Sequence, residues 1–148
     1  LDAVKYYVYL EDCGSPLAED LAGLLGDLSR VVGPELRELV GRVLAGSKGV
    51  VEVEALCRGV PVRRTPVTAR ILLEARGLDR RCRVVEEITG DDGKALIEAP
   101  YTSRVHVEAP ELKRSAEVYV DMDRVRVVLK SSSLLLYLKN AIRRFTSR

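Results

Sequence analysis

The chain has 148 residues and a mass of 16.4 kDa; 47% of the residues are apolar, 31% are charged, and the formal net charge is +2. That length fits one ordinary domain, and that apolar fraction is too high for a disordered chain. The composition excludes collagenous, low-complexity and disulfide-scaffold classes, no apolar run approaches the roughly 18 residues of a membrane helix, and so small a positive excess argues against a dedicated, strongly basic nucleic-acid clamp.

Residues 4–10, rich in Val and Tyr, read as a strand broken by Cys13-Gly14. Ser15-Pro16 then carries the N-cap and first-turn proline of a helix start. Leu17, Leu21, Leu24, Leu25, Leu28, Val31 and Val32 follow as one helical stripe. Gly33-Pro34 punctuates it, and Leu36, Leu39, Val40, Val43 and Leu44 mark a second helix ending near residues 46–49. Residues 50–57 alternate apolar and acidic side chains and predict a half-buried strand. Thr65-Pro66 and Gly77 frame a short helix over 66–76, although the alternation of Val67, Ala69, Ile71 and Leu73 leaves a strand as the alternative.

From Arg81 the period becomes two. Residues 83–89 and 94–99 flank Gly90-Asp91-Asp92-Gly93 and predict a hairpin. Residues 104–109 alternate up to Pro110. Residues 116–120 and 124–129 flank Asp121-Met122-Asp123 and predict a second hairpin. The chain ends in a helix capped by Ser131 to Ser133, with Leu134, Leu135, Leu138, Ala141, Ile142 and Phe145 as its apolar stripe. Segregated helices and strands predict an α+β fold: a mostly antiparallel sheet, two N-terminal helices, the short middle helix and the C-terminal helix. The expectation is a single domain over 1–148, with a candidate seam near 77–80. The expected core includes Leu21, Leu24, Leu28, Leu39, Val43, Leu135, Leu138 and Ile142.

The chain has no Gln, a single Asn (Asn140), a single Met (Met122), no Trp, and 18 Arg against 6 Lys. Loss of thermolabile amides with abundant charge marks heat-adapted proteins and points to a thermophilic archaeal source. A G+C-rich genome would explain the arginines but not the missing glutamines. The same composition is read as that of a cytoplasmic protein.

Cys13, Cys57 and Cys82 form no CxxC pair, and His106 is the single histidine. No metal and no cofactor is therefore expected, and buried free thiols are the default. A Cys57–Cys82 disulfide stays open because thermophile cytoplasm tolerates such bonds. His106, between Val105 and Val107, reads as a strand residue rather than a catalytic base. The carboxylate pairs Glu52/Glu54, Glu86/Glu87, Asp91/Asp92 and Asp121/Asp123 read as solvated faces and turns. No phosphate-binding glycine motif, EF-hand or HExxH is present. The nearest anion site is Lys130-Ser131-Ser132-Ser133 ahead of the last helix, where free N–H groups and the helix dipole favour an anion; ordinary capping is the competing reading.

Eight arginines fall within residues 58–83: Arg58, Arg63, Arg64, Arg70, Arg76, Arg80, Arg81 and Arg83. Lys139, Arg143, Arg144 and Arg148 lie on or after the last helix. Arg63, Arg64, Arg70, Arg81, Arg83, Lys139, Arg143 and Arg144 are the candidate contacts to phosphate or an acidic partner. The competing reading is a surface ion-pair network suited to high temperature.

The last third has a recognisable shape. Arg114-Ser115 leads into strands 117–120 and 125–129, then Lys130 to Ser133, then a helix with a leucine stripe, Asn140 and Arg143. This resembles the C-terminal strand–strand–helix of the small dimerisation subunit of the archaeal KEOPS tRNA-modification complex. The resemblance covers about 35 residues and implies a non-catalytic subunit that bridges, dimerises and helps hold tRNA. The expected function is therefore a non-catalytic accessory or interaction subunit, with a protein partner or homodimer, RNA as a candidate partner, and no membrane. The alternative is a small-molecule-binding protein or small enzyme with a pocket between helices and sheet.

Overall fold

The computed structural model describes the backbone of residues 2–146 and side chains through Arg143. The element order is α1 (Asp2–Asp12), α2 (Leu17–Leu28), α3 (Pro34–Leu44), β1 (Gly49–Cys57), β2 (Val60–Pro61), β3 (Pro66–Leu73), β4 (Arg81–Ile88), β5 (Lys94–Ala99), β6 (Arg104–Ala109), a 3-10 turn at Pro110–Leu112, β7 (Arg114–Tyr119), β8 (Arg124–Ser131) and α4 (Leu134–Thr146). This is the expected α+β class.

The strands form two four-stranded sheets. In the first, β1 is central. It pairs in parallel with β8 on one side, and antiparallel with β5 and then β2 on the other. The second is fully antiparallel in the order β4-β3-β6-β7. One face of each sheet is dry: Val51, Val53, Ala55 and Cys57 of β1, Val67, Ala69, Ile71 and Leu73 of β3, and Val105, Val107 and Ala109 of β6 are all buried. These residues share one cluster with Val4, Tyr7 and Val8 of α1 and Val40 and Val43 of α3.

The sandwich has two ends, and helices cap both. At one end lie the starts of β1, β4, β6 and β8 and the ends of β3, β5 and β7. There Asp12 of α1 accepts from Arg81 (3.3 Å) and Arg83 (3.2 Å) of β4, and Arg42 of α3 lies 3.5 Å from Asp123. Helix α2 packs on α1 and α3. At the opposite end α4 lies against the β2 edge and the approach to β3, through Pro61 and Arg63.

Several expectations need correction. Residues 4–10 are helical, so three N-terminal helices precede the sheets. Val4, Tyr7 and Val8 fall one turn apart and bury together, and that packing outweighs the strand propensity of Val and Tyr. Residues 66–73 form strand β3 and not a helix; its alternating burial follows the alternation of Val67, Ala69, Ile71 and Leu73. Neither expected hairpin exists. β4 pairs with β3 while β5 pairs with β1, and β7 pairs with β6 while β8 pairs with β1. The loops at 90–93 and 121–123 therefore cross between sheets. Gly93 holds a φ of +73°, and a side chain there would meet the Ala55 carbonyl and Pro61, so this crossing requires glycine.

The expected core is corrected most at the helices. Val43 is buried, and Leu21 and Leu39 are half-buried. Leu24, Leu28, Leu135, Leu138 and Ile142 are exposed. The thiols of Cys13, Cys57 and Cys82 are free; Cys57 is buried at one end of β1, but Cys13 and Cys82 are exposed, against the expectation of buried thiols. No described helix is long and apolar enough to cross a membrane.

Candidate functional site

Helix α4 begins where Ser133 Oγ accepts the Leu136 N–H (3.3 Å) and the Ser133 carbonyl accepts the Tyr137 N–H (3.1 Å). Ser131 Oγ accepts the Ser133 N–H (3.2 Å). Ser133 Oγ of the expected anion site thus satisfies a free helix N–H, as a capping residue does, and Ser131 Oγ satisfies the N–H of that cap. The Ser132 carbonyl accepts from Arg58 (3.1 Å), and the exposed Lys130 gives its carbonyl to Arg114 (3.0 Å).

The helix is then held by its polar face. Asn140 is 4% exposed. Its Nδ2 donates to the Pro61 carbonyl (2.8 Å) and its Oδ1 accepts the Arg63 N–H (2.8 Å). The single asparagine of the chain therefore satisfies both ends of a backbone loop. One turn on, Arg143 donates to the Arg63 carbonyl (3.1 Å) and to Glu111 Oε2 (2.5 Å). Glu111 Oε1 accepts from Thr65 (2.8 Å). Hydrogen bonding from Arg143 holds the Glu111 carboxyl below its ordinary range, and Thr65 acts in the same direction against partial burial.

Because Leu136, Asn140 and Arg143 face the body, the apolar stripe faces outward. Leu134 is 55% exposed, Leu135 68% and Leu138 51%. A surface helix normally points such a stripe at the core. A second outward stripe runs along α2: Leu17 is 60% exposed, Leu24 54% and Leu28 41%. With half-buried Leu21, these residues step by four, three and four, the spacing of a coiled-coil seam, and exposed Val31 lies in the turn beyond the helix. Periodicity at the sequence level finds both stripes, but it does not say which way they face.

The arginines are distributed over the whole body rather than gathered. Arg63 lies beside α4, 3.8 Å from Asp91. Arg64 and Arg70 are exposed, Arg70 on the outer face of β3 in register with His106. Arg81 and Arg83 stand at the far end on Asp12. Lys139 is exposed on α4, Arg143 is bound to Glu111, and Arg144 lies outside the described side chains, as do Phe145 and Arg148. A separate network, which the sequence reading treated only as a solvated face, covers the outer face of the first sheet. Glu52 lies 3.9–4.0 Å from Lys94, Arg124 and Arg126, and Glu54 pairs closely with Arg126. Among the described residues no group of three or more His, Cys, Asp or Glu is placed to hold a metal ion.

A polar cleft of about 290 Å³ opens between α1, α3 and the loop before β6, lined in part by Glu11, Asp12, Lys48 and Tyr101. Tyr101 is buried and its hydroxyl donates to Asp123. Burial and that hydrogen bond push the phenol up to about 12. The next residue, Thr102, is buried with φ +69°, a left-handed conformation that a β-branched side chain strains to adopt.

No family model matches the chain, and no curated protein matches it. Among solved structures, a 9R-lipoxygenase from Cyanothece PCC8801 aligns with a TM-score of 0.31 and 9% identity, covering 88% of this chain and 22% of that one.

Proposed function

We propose that this chain is a non-catalytic accessory or interaction subunit that docks through the outward apolar faces of its helices. The single observation that carries this reading is the inverted orientation of α4. Asn140 and Arg143 fasten its polar side to the body, while Leu134, Leu135 and Leu138 face water. Isolated exposed leucines are ordinary, but a contiguous apolar stripe on a helix locked in place marks an interaction surface. An RNA-handling assembly is what the C-terminal resemblance implies, although β7 and β8 lie in different sheets and do not form the paired strands of that family. Of the candidate contacts, Arg64, Arg70 and Lys139 are exposed.

The test is co-isolation from cells of the source organism, comparing the wild type with a Leu135→Asp/Leu138→Asp variant. The expected result is a partner, or further copies of the chain, recovered with the wild type and lost with the variant. Equal recovery with both, or none with the wild type, overturns the reading.

A second reading has its own observation. The cleft beside Tyr101 combines the carboxylates of Glu11 and Asp12 with Lys48, and suits a small polar ligand. A ligand-induced rise in Tm that Lys48→Ala abolishes would support it; a screen of small polar metabolites that leaves Tm unmoved would reject it.

A further inference from the structure

The two outward stripes carry opposite charge. Helix α2 contains Glu19, Asp20 and Asp27 and no basic residue, a formal charge of −3. Helix α4 contains Lys139, Arg143 and Arg144 and no acidic residue; Arg143 is bound to Glu111 on the body side, and the exposed Lys139 is the base placed beside the stripe. No acid occurs anywhere from Lys130 to Arg148. At 100° per residue, Asp20 and Asp27 border the solvent side of the Leu17–Leu24–Leu28 stripe, and Lys139 borders Leu135. The helices are also matched in length, at 12 and 13 residues, or roughly 18 and 20 Å.

The stripes cannot meet within one molecule. α2 sits on α1 and α3 at one end of the sandwich, and α4 binds Pro61, Arg63 and Glu111 at the other. The full length of both sheets lies between them.

We propose that the partner of each stripe is a second copy of this chain, with α2 of one copy seated on α4 of the next. This rests on the reading that the outward stripes are docking faces, and it names their occupant. Charge selects the pairing. Two α4 stripes face to face would oppose Lys139 to Lys139 with no acid within either helix, and two α2 stripes would oppose Glu19, Asp20 and Asp27 to their copies with no base within either helix. Like charges across an interface are penalised, and opposite charges steer the encounter and fix the register. The α2–α4 combination places Asp20 and Asp27 of one helix against Lys139 of the other around a leucine seam.

Such a contact is head-to-tail, so each copy keeps one free face after joining. The assembly closes into a ring if the rotation between copies permits, and otherwise grows as an open filament. One helix-sized strip is smaller than the ~800 Å² per partner of a standard interface. Each joint is therefore weak, and assembly is concentration-dependent.

The experiment is sedimentation velocity on the full chain with two variants, Leu24→Asp/Leu28→Asp and Leu135→Asp/Leu138→Asp. All four positions are exposed, and circular dichroism confirms that each variant is folded. The wild type should gain mass with concentration. That gain should shrink as salt rises from about 0.01 M to about 1 M, where the screening length falls from ~30 to ~3 Å. Each variant alone should stay monomeric. Their mixture should double in mass and go no further, because one variant supplies the intact α2 and the other the intact α4. A wild type that stays monomeric up to about 1 mM would overturn the proposal. So would a mixture that stays monomeric, or an α2 variant that still self-associates. A monomeric wild type that nevertheless retrieves a different protein through α4 would refute self-association and leave the docking reading standing.

Discussion

Replacing Asn140 with alanine removes two hydrogen bonds at once. Nδ2 donates to the Pro61 carbonyl and Oδ1 accepts from the Arg63 N–H, both at 2.8 Å and partly buried. A hydrogen bond contributes about 0.5–1.5 kcal/mol net, and a buried group left unpaired costs about 1–3 kcal/mol. Because Pro61 and Arg63 are only half-buried, water takes up part of the loss, and the expected cost is about 2–3 kcal/mol. For a chain of this size each kcal/mol moves Tm by about 2–4 °C, so Tm should fall by roughly 5–10 °C. Urea unfolding at low protein concentration measures the change. Lys139→Ala, at an exposed position of the same helix, is the control and should stay within about 0.5 kcal/mol of wild type. If Asn140→Ala and Lys139→Ala behaved alike, the polar docking of α4 would be refuted.

The pH response should come in part from Glu111. Its folded-state pKa lies below the ordinary value of 4.5. Its stabilising contribution is therefore complete above about 4.5 and is lost as pH falls through the lower folded-state value. Urea midpoints of wild type and Glu111→Gln should differ at neutral pH and converge in acid; a constant gap would contradict the assignment. Arg81→Ala/Arg83→Ala removes two exposed pairs to Asp12 and should cost no more than about 1 kcal/mol; a larger loss would mean that these pairs act as a cooperative network. If Arg64, Arg70 and Lys139 contact RNA, a gel shift should weaken steeply between two salt concentrations, and Arg63→Ala/Arg64→Ala should flatten the salt slope by about one to two contacts; salt-independent or absent binding would reject that role. Elemental analysis of untagged protein should find no stoichiometric zinc, and one zinc per chain would overturn the expectation drawn from the scattered cysteines.

The sequence carries the period of each element more plainly than its partner. Residues 104–109 alternate and form β6, and Pro34 opens α3 as its first-turn proline requires. The stretch 66–73 carries two signals, turn residues that frame a helix and an alternation that fits a strand. The alternation prevails because Val67, Ala69, Ile71 and Leu73 all enter the inter-sheet core. Loops 90–93 and 121–123 have hairpin chemistry, but local turn residues do not specify which sheet receives the next strand. The central pairing of β1 with β8 joins strands more than 70 residues apart, and nothing in either segment announces it. The same limit applies to the candidate site. Spacing places Leu134, Leu135 and Leu138 on one stripe and Asn140 with Arg143 on the other side. The hydrogen bonds to Pro61, Arg63 and Glu111 turn that stripe outward, and those partners lie in distant segments.

The orientation of α4 is the central claim, and a pair of aspartate substitutions tests it most directly. Leu136 is 4% exposed and Leu138 is 51% exposed, two positions apart on one helix. Urea unfolding of Leu136→Asp and Leu138→Asp, measured at low concentration, reads the two faces separately. Leu138→Asp should leave stability within about 0.5 kcal/mol of wild type, while Leu136→Asp should lose several kcal/mol by burying an unpaired charge. A large loss for Leu138→Asp with little effect of Leu136→Asp would place the leucine stripe in the core and contradict the account.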